Sequence, residues 1–289
     1  MTETGRMRAR VGAVQMIADS TNVRGNVEKA LNYCEKAESA GVNILCFPEC
    51  ASTGWESLWC TDKKYRHKFY AEPIPGAMVE VFEKKARETN MYIIFGAPEI
   101  TKESNGLYNT AFLVGPDEGY IGKHRKISSE PVFEDGEEAN VFETRYGRIG
   151  IFICSDMRSP ELSRLLAIKG ANMLFQPTLY FHEDGMHMRK KYCGKCTAQR
   201  ARAMDNGVYL ITANAGCSEY VNNSRIIGPD GQGPEPTLAG ATKKEQLIFA
   251  DIEFQIDENR VNEMAARNPW LFRELGREMM QLGSWADNG

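Results

Sequence analysis

The sequence predicts an α/β protein, and three observations carry that prediction. Runs of β-prone residues alternate with helical patterns along most of the chain. Two of the runs are short and almost wholly apolar, as in strands buried on both faces of a sheet. Three helical stretches are closed by glycine, at Gly41, Gly170 and Gly207.

Arg8 to Met16 is the first β-prone run. Asn26 then opens a helix with Val27, Ala30, Leu31, Cys34 and Ala37 on one face, ending at Gly41. Asn43 to Phe47 is an apolar strand that runs into Pro48-Glu49, so a carboxylate stands at a strand end. Ala51 to Pro75, with Trp55, Trp59, Tyr65, Phe69 and Tyr70, is too long and irregular for an ordinary connection. It reads either as the wall of a pocket or as a packed surface insertion.

Gly76 to Asn90 is helical and Met91 to Gly96 is a second apolar strand. Leu107 to Val114 and Tyr120 to Lys126 flank a turn at Gly115 to Gly119, which makes a hairpin with Lys126 at its far end. Arg148 to Ile153 is a strand, Cys154 sits where it stops, and Ser159-Pro160-Glu161 starts a helix that reaches Lys169. Asn172 to Gln176 is a strand, Arg189 to Asn206 a long helix, and Val208 to Ala213 a strand. Ser224 to Gly228 and Leu247 to Ile252 are the last strands, around a Pro/Gly-rich loop at Pro229 to Gly240. Asp257 onward is helical. With no fixed repeat and no low-complexity linker, one domain over residues 1–289 is the simplest organisation, its tail from about residue 268 amphipathic enough to dock on a partner.

Composition bounds the function. The 289 residues are 42% hydrophobic, ample for a core. A net charge of -4 and a pI near 5.8 argue against a nucleic-acid or anionic-membrane surface, which calls for a basic stripe. The N-terminus is polar, and no apolar run approaches the roughly 18 residues that span a bilayer. The expectation is a soluble, unsecreted, cytoplasmic protein. Its eight cysteines then read as reduced thiols, each free to be core, ligand or nucleophile.

Glu49, Lys126 and Cys154 each close a predicted strand, the edge at which open α/β sheets bind ligands. A base, a cation and a thiol at one edge are the parts of nucleophilic catalysis: the carboxylate takes the thiol proton and the ammonium favours the thiolate. The ammonium and the Ser155 backbone N–H would supply donors for an oxyanion. Singly, each residue has a structural explanation, as a buried core cysteine or as a solvated surface lysine or glutamate.

Phe47-Pro48-Glu49, Gly122-Lys123-His124-Arg125-Lys126 and Ile153-Cys154-Ser155-Asp156-Met157-Arg158-Ser159-Pro160-Glu161, in this order, resemble the nitrilase superfamily of carbon–nitrogen hydrolases. Val11 to Met16, Arg200 to Gly207 with Ala213-Asn214, and Ile226 to Gly231 resemble further segments of that family, so the likeness covers nearly the whole chain. It implies a four-layer α-β-β-α sandwich, a Glu49-Lys126-Cys154 triad, and hydrolysis of an amide or N-carbamoyl group through a thioester without metal or cofactor. It also implies a second glutamate at Glu130, although the loop Ile127-Ser128-Ser129 is shorter than usual and lacks the customary histidine.

Arg158, four residues after the cysteine, marks a carboxylate-bearing substrate or pairs internally with Asp156 or Glu161. Glu161, in the first turn of a helix, reads as structural. Tyr180, Phe181, His182 and Trp55 are candidate pocket residues. The same triad would also hydrolyse a nitrile, but Ser155-Asp156 replaces the Trp-Glu usual in true nitrilases. Two other classes stay open: a zinc site at His182, His187, Cys193 and Cys196, whose C-x2-C would otherwise be helical neighbours, and a catalytically silent scaffold. The resemblance further implies a homodimer or higher homo-oligomer, with the helix carrying Leu162, Leu165, Leu166 and Ile168 or the Trp270-Leu271-Phe272 tail as contact candidates; core packing explains that helix equally well.

Overall fold

The computed structural model describes residues 6–54, 70–101, 106–179, 187–214, 224–229, 237–242, 244–256, 263, 266 and 268–286. The first sheet is built from β1 (Arg6–Gln15), β2 (Ile44–Cys46), β3 (Tyr92–Ile100), β4 (Leu107–Gly115), β5 (Gly119–Arg125) and β12 (Gln246–Gln255), in the order β12-β1-β2-β3-β4-β5. The second contains β6 (Val141–Thr144), β7 (Gly147–Ile151), β8 (Met173–Pro177), β9 (Tyr209–Ala213), β10 (Arg225–Ile227) and β11 (Thr237–Gly240), in the order β11-β10-β9-β8-β7-β6. Each has a parallel centre, β1-β2-β3 or β7-β8-β9, with antiparallel strands outside it.

Side-chain alternation along these strands builds the layers. In β2, Ile44 and Cys46 join Val11, Ala13, Ile94 and Leu113 in a core shared with Ile149, Ile151, Phe175 and Ile211 of the other sheet. Leu45 points the opposite way, into a cluster with Ala30, Cys34 and Ala37 of α1 (Val23–Ser39) and Val79, Phe82 and Ala86 of α2 (Ala77–Thr89). On the far side, Leu174 and Leu210 meet Leu162 and Leu166 of α3 (Pro160–Ile168) and Ala203 of α4 (His187–Asn206). The order is helix, sheet, sheet, helix. No helix among the described residues is long and apolar enough to cross a membrane.

Several sequence expectations are corrected. α1 starts a turn earlier than Asn26: the Asn22 side chain caps it by accepting from the Gly25 N–H at 2.9 Å. Asn26 is instead buried, donating to the backbone oxygens of Asp19 and Ser52 at 2.7 and 2.8 Å. Strand β6 was not anticipated, and β11 occupies part of the expected loop at Pro229 to Gly240. Of the two readings of the helix α3, Leu162 and Leu166 take the core one, whereas Leu165 is exposed. The tail folds as α5 (Pro269–Ala286), with Trp270, Leu271 and Phe272 exposed. The helix expected from Asp257 lies largely outside the described residues.

Candidate active site

Strand direction brings two of the three candidate residues, Glu49 and Lys126, to one edge of the first sheet. Because β4 is antiparallel to both β3 and β5, strand β5 runs with β2, and Lys126 leaves the first sheet at the same edge as Glu49. Phe47 anchors the Glu49 loop by packing edge-on against Phe95, ring centroids 5.4 Å apart. Cys50 then turns the chain at φ 47°. Below this loop lies Gly96, where a Cβ would come within 2.5 Å of the Pro48 oxygen and 3.1 Å of Glu49 Cα. Only glycine lets β3 pass that close.

Lys126 is fastened through its backbone: its N–H donates to the Asn109 oxygen and its carbonyl accepts from Gly136 N–H, both at 2.8 Å. Cys154 follows β7 at φ 46° and begins a 3₁₀ turn, Cys154–Arg158. A non-glycine residue in that left-handed region costs on the order of 1–3 kcal/mol, and such strain collects at functional sites.

The side chains converge in a buried polar knot. Lys126 Nζ, fully buried, donates to Glu49 Oε1 at 2.7 Å and to Glu130 Oε1 and Oε2 at 2.7 and 2.9 Å. Asn109 Nδ2 donates to the same Glu49 oxygen at 2.7 Å, and the Cys50 thiol lies 3.7 Å from Asn109 Oδ1. Burial raises the Glu49 carboxyl above its ordinary 4.5, with the Lys126 ammonium opposing. Burial is also the main cause pushing the Cys154 thiol up to about 12; the Glu49 charge adds to it and Lys126 opposes it. For Lys126, burial works to lower the pKa, but Glu49, Cys154 and Glu130 outweigh it and hold the ammonium charged well above 10.5. The resting arrangement is a neutral thiol beside a cation and a carboxylate that protonates more readily than in water. It is equipped to pass a proton from sulfur to Glu49 when an electrophile arrives.

A second clasp joins the loops of Lys126 and Cys154. Buried Asp156 accepts from His124 Nε2 at 3.0 Å, from the backbone N–H of Ile127 and Ser128 at 3.0 and 2.8 Å, and from that of Ile153 at 2.9 Å. Ser155 Oγ adds a bond to the Ser128 oxygen at 2.8 Å. These partners correct the idea that Asp156 pairs with Arg158. Arg158 is exposed and, among the described residues, forms no ion pair. Glu130 is part of the knot although its side chain is 37% exposed.

Trp55, Tyr180, Phe181 and His182 lie outside the described residues, as do the side chains of His187, Cys193 and Cys196. Sequence reasoning missed Asn109, Asp156 as a clasp, and Gln176, whose Nε2 donates to the Cys154 oxygen at 3.1 Å. The available signal for Asn109 and Gln176 was a polar amide inside an otherwise buried strand.

Residues 10–257 match the family described as Carbon-nitrogen hydrolase. The chain is 32% identical over 250 residues to omega-amidase NIT2-B of Xenopus laevis, a match covering 80% of this chain and 83% of that protein. It is 29% identical to omega-amidase NIT2 of Homo sapiens with the same coverage. Among solved structures it is similar to Saccharomyces cerevisiae Nit3 of the nitrilase superfamily (TM-score 0.74, 23% identity, covering 91% of this chain and 95% of that one). It is also similar to an amidase from Nesterenkonia sp. (TM-score 0.72, 19% identity, covering 93% and 97%).

Proposed function

The chain belongs to the carbon–nitrogen hydrolase family of the nitrilase superfamily, and on that premise we propose that Cys154, Glu49 and Lys126 hydrolyse the amide of a small carboxylate-bearing substrate. The observation that carries the proposal is Lys126 Nζ, held 2.7 Å from Glu49 beside a buried thiol on a strained turn. A merely structural lysine would not need two carboxylates, full burial and a neighbouring cysteine together.

In the first half-reaction Glu49 takes the Cys154 proton as sulfur bonds to the amide carbon. The C=O electron pair moves onto oxygen, where the Lys126 ammonium and the Ser155 N–H receive the charge. When the pair returns, the C–N bond breaks, protonated Glu49 gives its proton to nitrogen, and ammonia leaves a thioester. In the second, Glu49 takes a proton from water, the hydroxide oxygen bonds to the acyl carbon, and the C–S bond breaks. The departing sulfur regains its proton from Glu49, leaving a carboxylic acid. Glu130, which receives Lys126 Nζ on both carboxylate oxygens, orients the ammonium and helps keep it charged.

Two observations support a carboxylate on the substrate. The curated relatives are omega-amidases, and Arg158 ends the Cys154 turn exposed and without an ion pair among the described residues, its guanidinium fork suited to a carboxylate. The test is ammonia release by wild type and Cys154→Ala on matched amides and N-carbamoyl compounds, each with and without a carboxylate. Release from the acidic amides alone, abolished in Cys154→Ala, is the expected outcome. Substantial turnover by Cys154→Ala would sink the triad, and preference for neutral amides would remove Arg158 from the site.

A further inference from the structure

Behind the candidate nucleophile, a chain of buried polar side chains runs through a layer that is otherwise apolar. Gln176 and Thr212 are register partners on β8 and β9, and Gln199 reaches them from α4. All three are fully buried, next to Leu174, Leu210 and Ala203 of the helix-facing core. Gln176 Nε2 donates to the Cys154 carbonyl at 3.1 Å. Gln176 Oε1 receives Gln199 Nε2 at 2.8 Å and Thr212 Oγ1 at 3.0 Å, and Gln199 Nε2 also donates to Thr212 Oγ1 at 3.1 Å.

The carbonyl at the end of the chain sets every orientation in it. A carbonyl only accepts, so Gln176 must turn its NH2 toward Cys154 and its oxygen toward Gln199 and Thr212, and Gln199 must then present its own NH2. Burying such amides costs about 1–3 kcal/mol for each group left unpaired, and apolar residues of the same size would fill the layer without that risk. The Gln199 oxygen is buried with no partner among the described residues, so packing alone does not account for the chain.

The bonded carbonyl belongs to the same peptide unit as the Ser155 N–H. In a planar trans peptide the C=O and N–H point in opposite directions, so holding one fixes the other. Cys154 stands at φ 46°, in the left-handed region where a non-glycine residue is strained, so the turn carrying this unit depends on its surroundings to keep its shape. We propose that Gln176, braced by Gln199 and Thr212, is a positioning residue that aims the Ser155 N–H as an oxyanion donor. This rests on the amidase reading above. Gln176 touches neither substrate nor thiol in this role.

The test separates oxyanion stabilisation from thiol reactivity. In wild type and in Gln176→Met, which keeps the volume and removes the donor, three quantities are measured: turnover of succinic monoamide, reversible inhibition by succinic semialdehyde, and alkylation of Cys154 by iodoacetamide. The aldehyde carbon bonds to sulfur and its oxygen takes up the thiol proton, so the adduct oxygen occupies the oxyanion position; alkylation has no such oxygen. Gln176→Met is expected to lose about 10²-fold in kcat and in aldehyde affinity, as when one oxyanion donor is lost. KM and the alkylation rate should stay within about threefold, because alkylation follows thiolate formation. Thr212→Val should show the same pattern at about tenfold, and carries the test if Gln176→Met does not fold.

Unchanged kcat and aldehyde affinity in both variants, or alkylation slowed in step with turnover, would overturn the proposal. If wild type is alkylated but neither turns over the amide nor binds the aldehyde, the amidase reading fails first and this inference falls with it.

Discussion

Asn109 Nδ2 and Lys126 Nζ both reach Oε1 of Glu49, each at 2.7 Å. One carboxylate oxygen is thereby occupied by two donors, which leaves the other to receive a proton. Asn109 also accepts the Lys126 backbone N–H, so one residue registers the Glu49 carboxylate and the Lys126 cation together. Asn109→Leu should cost about 10- to 100-fold in kcat/KM, the worth of a buried hydrogen bond to a charged group. Because the amide favours the ionised carboxylate, its loss should also move the acid limb of the pH–rate profile upward. An unmoved limb would argue that Asn109 serves packing alone.

The direction of the pKa shifts fixes the wild-type profile. Burial raises Glu49 above 4.5, so kcat/KM should fall on acidification through a pKa higher than that of an ordinary glutamate. The Cys154 thiol, pushed up to about 12, is neutral at rest. No inflection near the usual thiol value of 9.0 is therefore expected. A profile that rises through 9.0 would show direct thiol ionisation in place of proton transfer to Glu49.

How far this site was legible in the sequence depends on distance along the chain. Glu49, Lys126 and Cys154 stood out because each comes just after a strand, and strands running in one direction, β2 and β5 here, bring their ends to one edge of their sheet. Asn109 lies 60 residues from Glu49 and Asp156 lies 32 from His124, separations across which periodicity says nothing. Asp156 looked like a partner for nearby Arg158, but three backbone N–H groups and a buried imidazole were better placed. The start of α1 was misplaced because Asn22 and Asn26 sit one turn apart and Gly25 between them looks like a break. β6 and β11 are four residues each, too short for an alternation signal.

Asp156→Asn tests the clasp. The substitution sets an NH2 against at least one of four donors, three of them backbone. A loss of about 2–4 kcal/mol in urea unfolding is expected, from charged hydrogen bonds broken inside the protein. Turnover should fall as well, since the same carboxylate holds the Lys126 and Cys154 loops together. Unchanged stability would mean that the loops keep their places without it.

Arg158→Gln separates substrate recognition from stability. With the side chain exposed and no ion pair among the described residues, the melting temperature should not change. If the guanidinium receives a substrate carboxylate, kcat/KM for the monoamide of a dicarboxylic acid should fall about 10- to 100-fold, against little change for a neutral amide of equal length. Equal losses on both substrates would assign Arg158 to the shape of the turn.

Away from the site, buried Glu99 of β3 gathers Lys123 Nζ at 2.6 Å and the Arg125 guanidinium from β5, the strand that delivers Lys126, and Thr110 Oγ1 at 2.8 Å from β4. Burial works to raise the Glu99 carboxyl, but the bonds from Arg125 and Lys123 outweigh it and hold the pKa below 4.5. A depressed folded-state pKa contributes stability that is present above the unfolded value and is lost as pH falls through the folded one. Glu99→Gln should therefore destabilise the protein at pH 7 and progressively less below pH 4.5. Lys123 and Arg125 are 25% and 29% exposed, so water screens the cations left behind, and about 1–3 kcal/mol is expected rather than the larger cost of a sealed pair. Urea midpoints of the two proteins that converge on acidification would bear out the linkage; a constant gap would mean that Glu99 acts through its shape and not its charge.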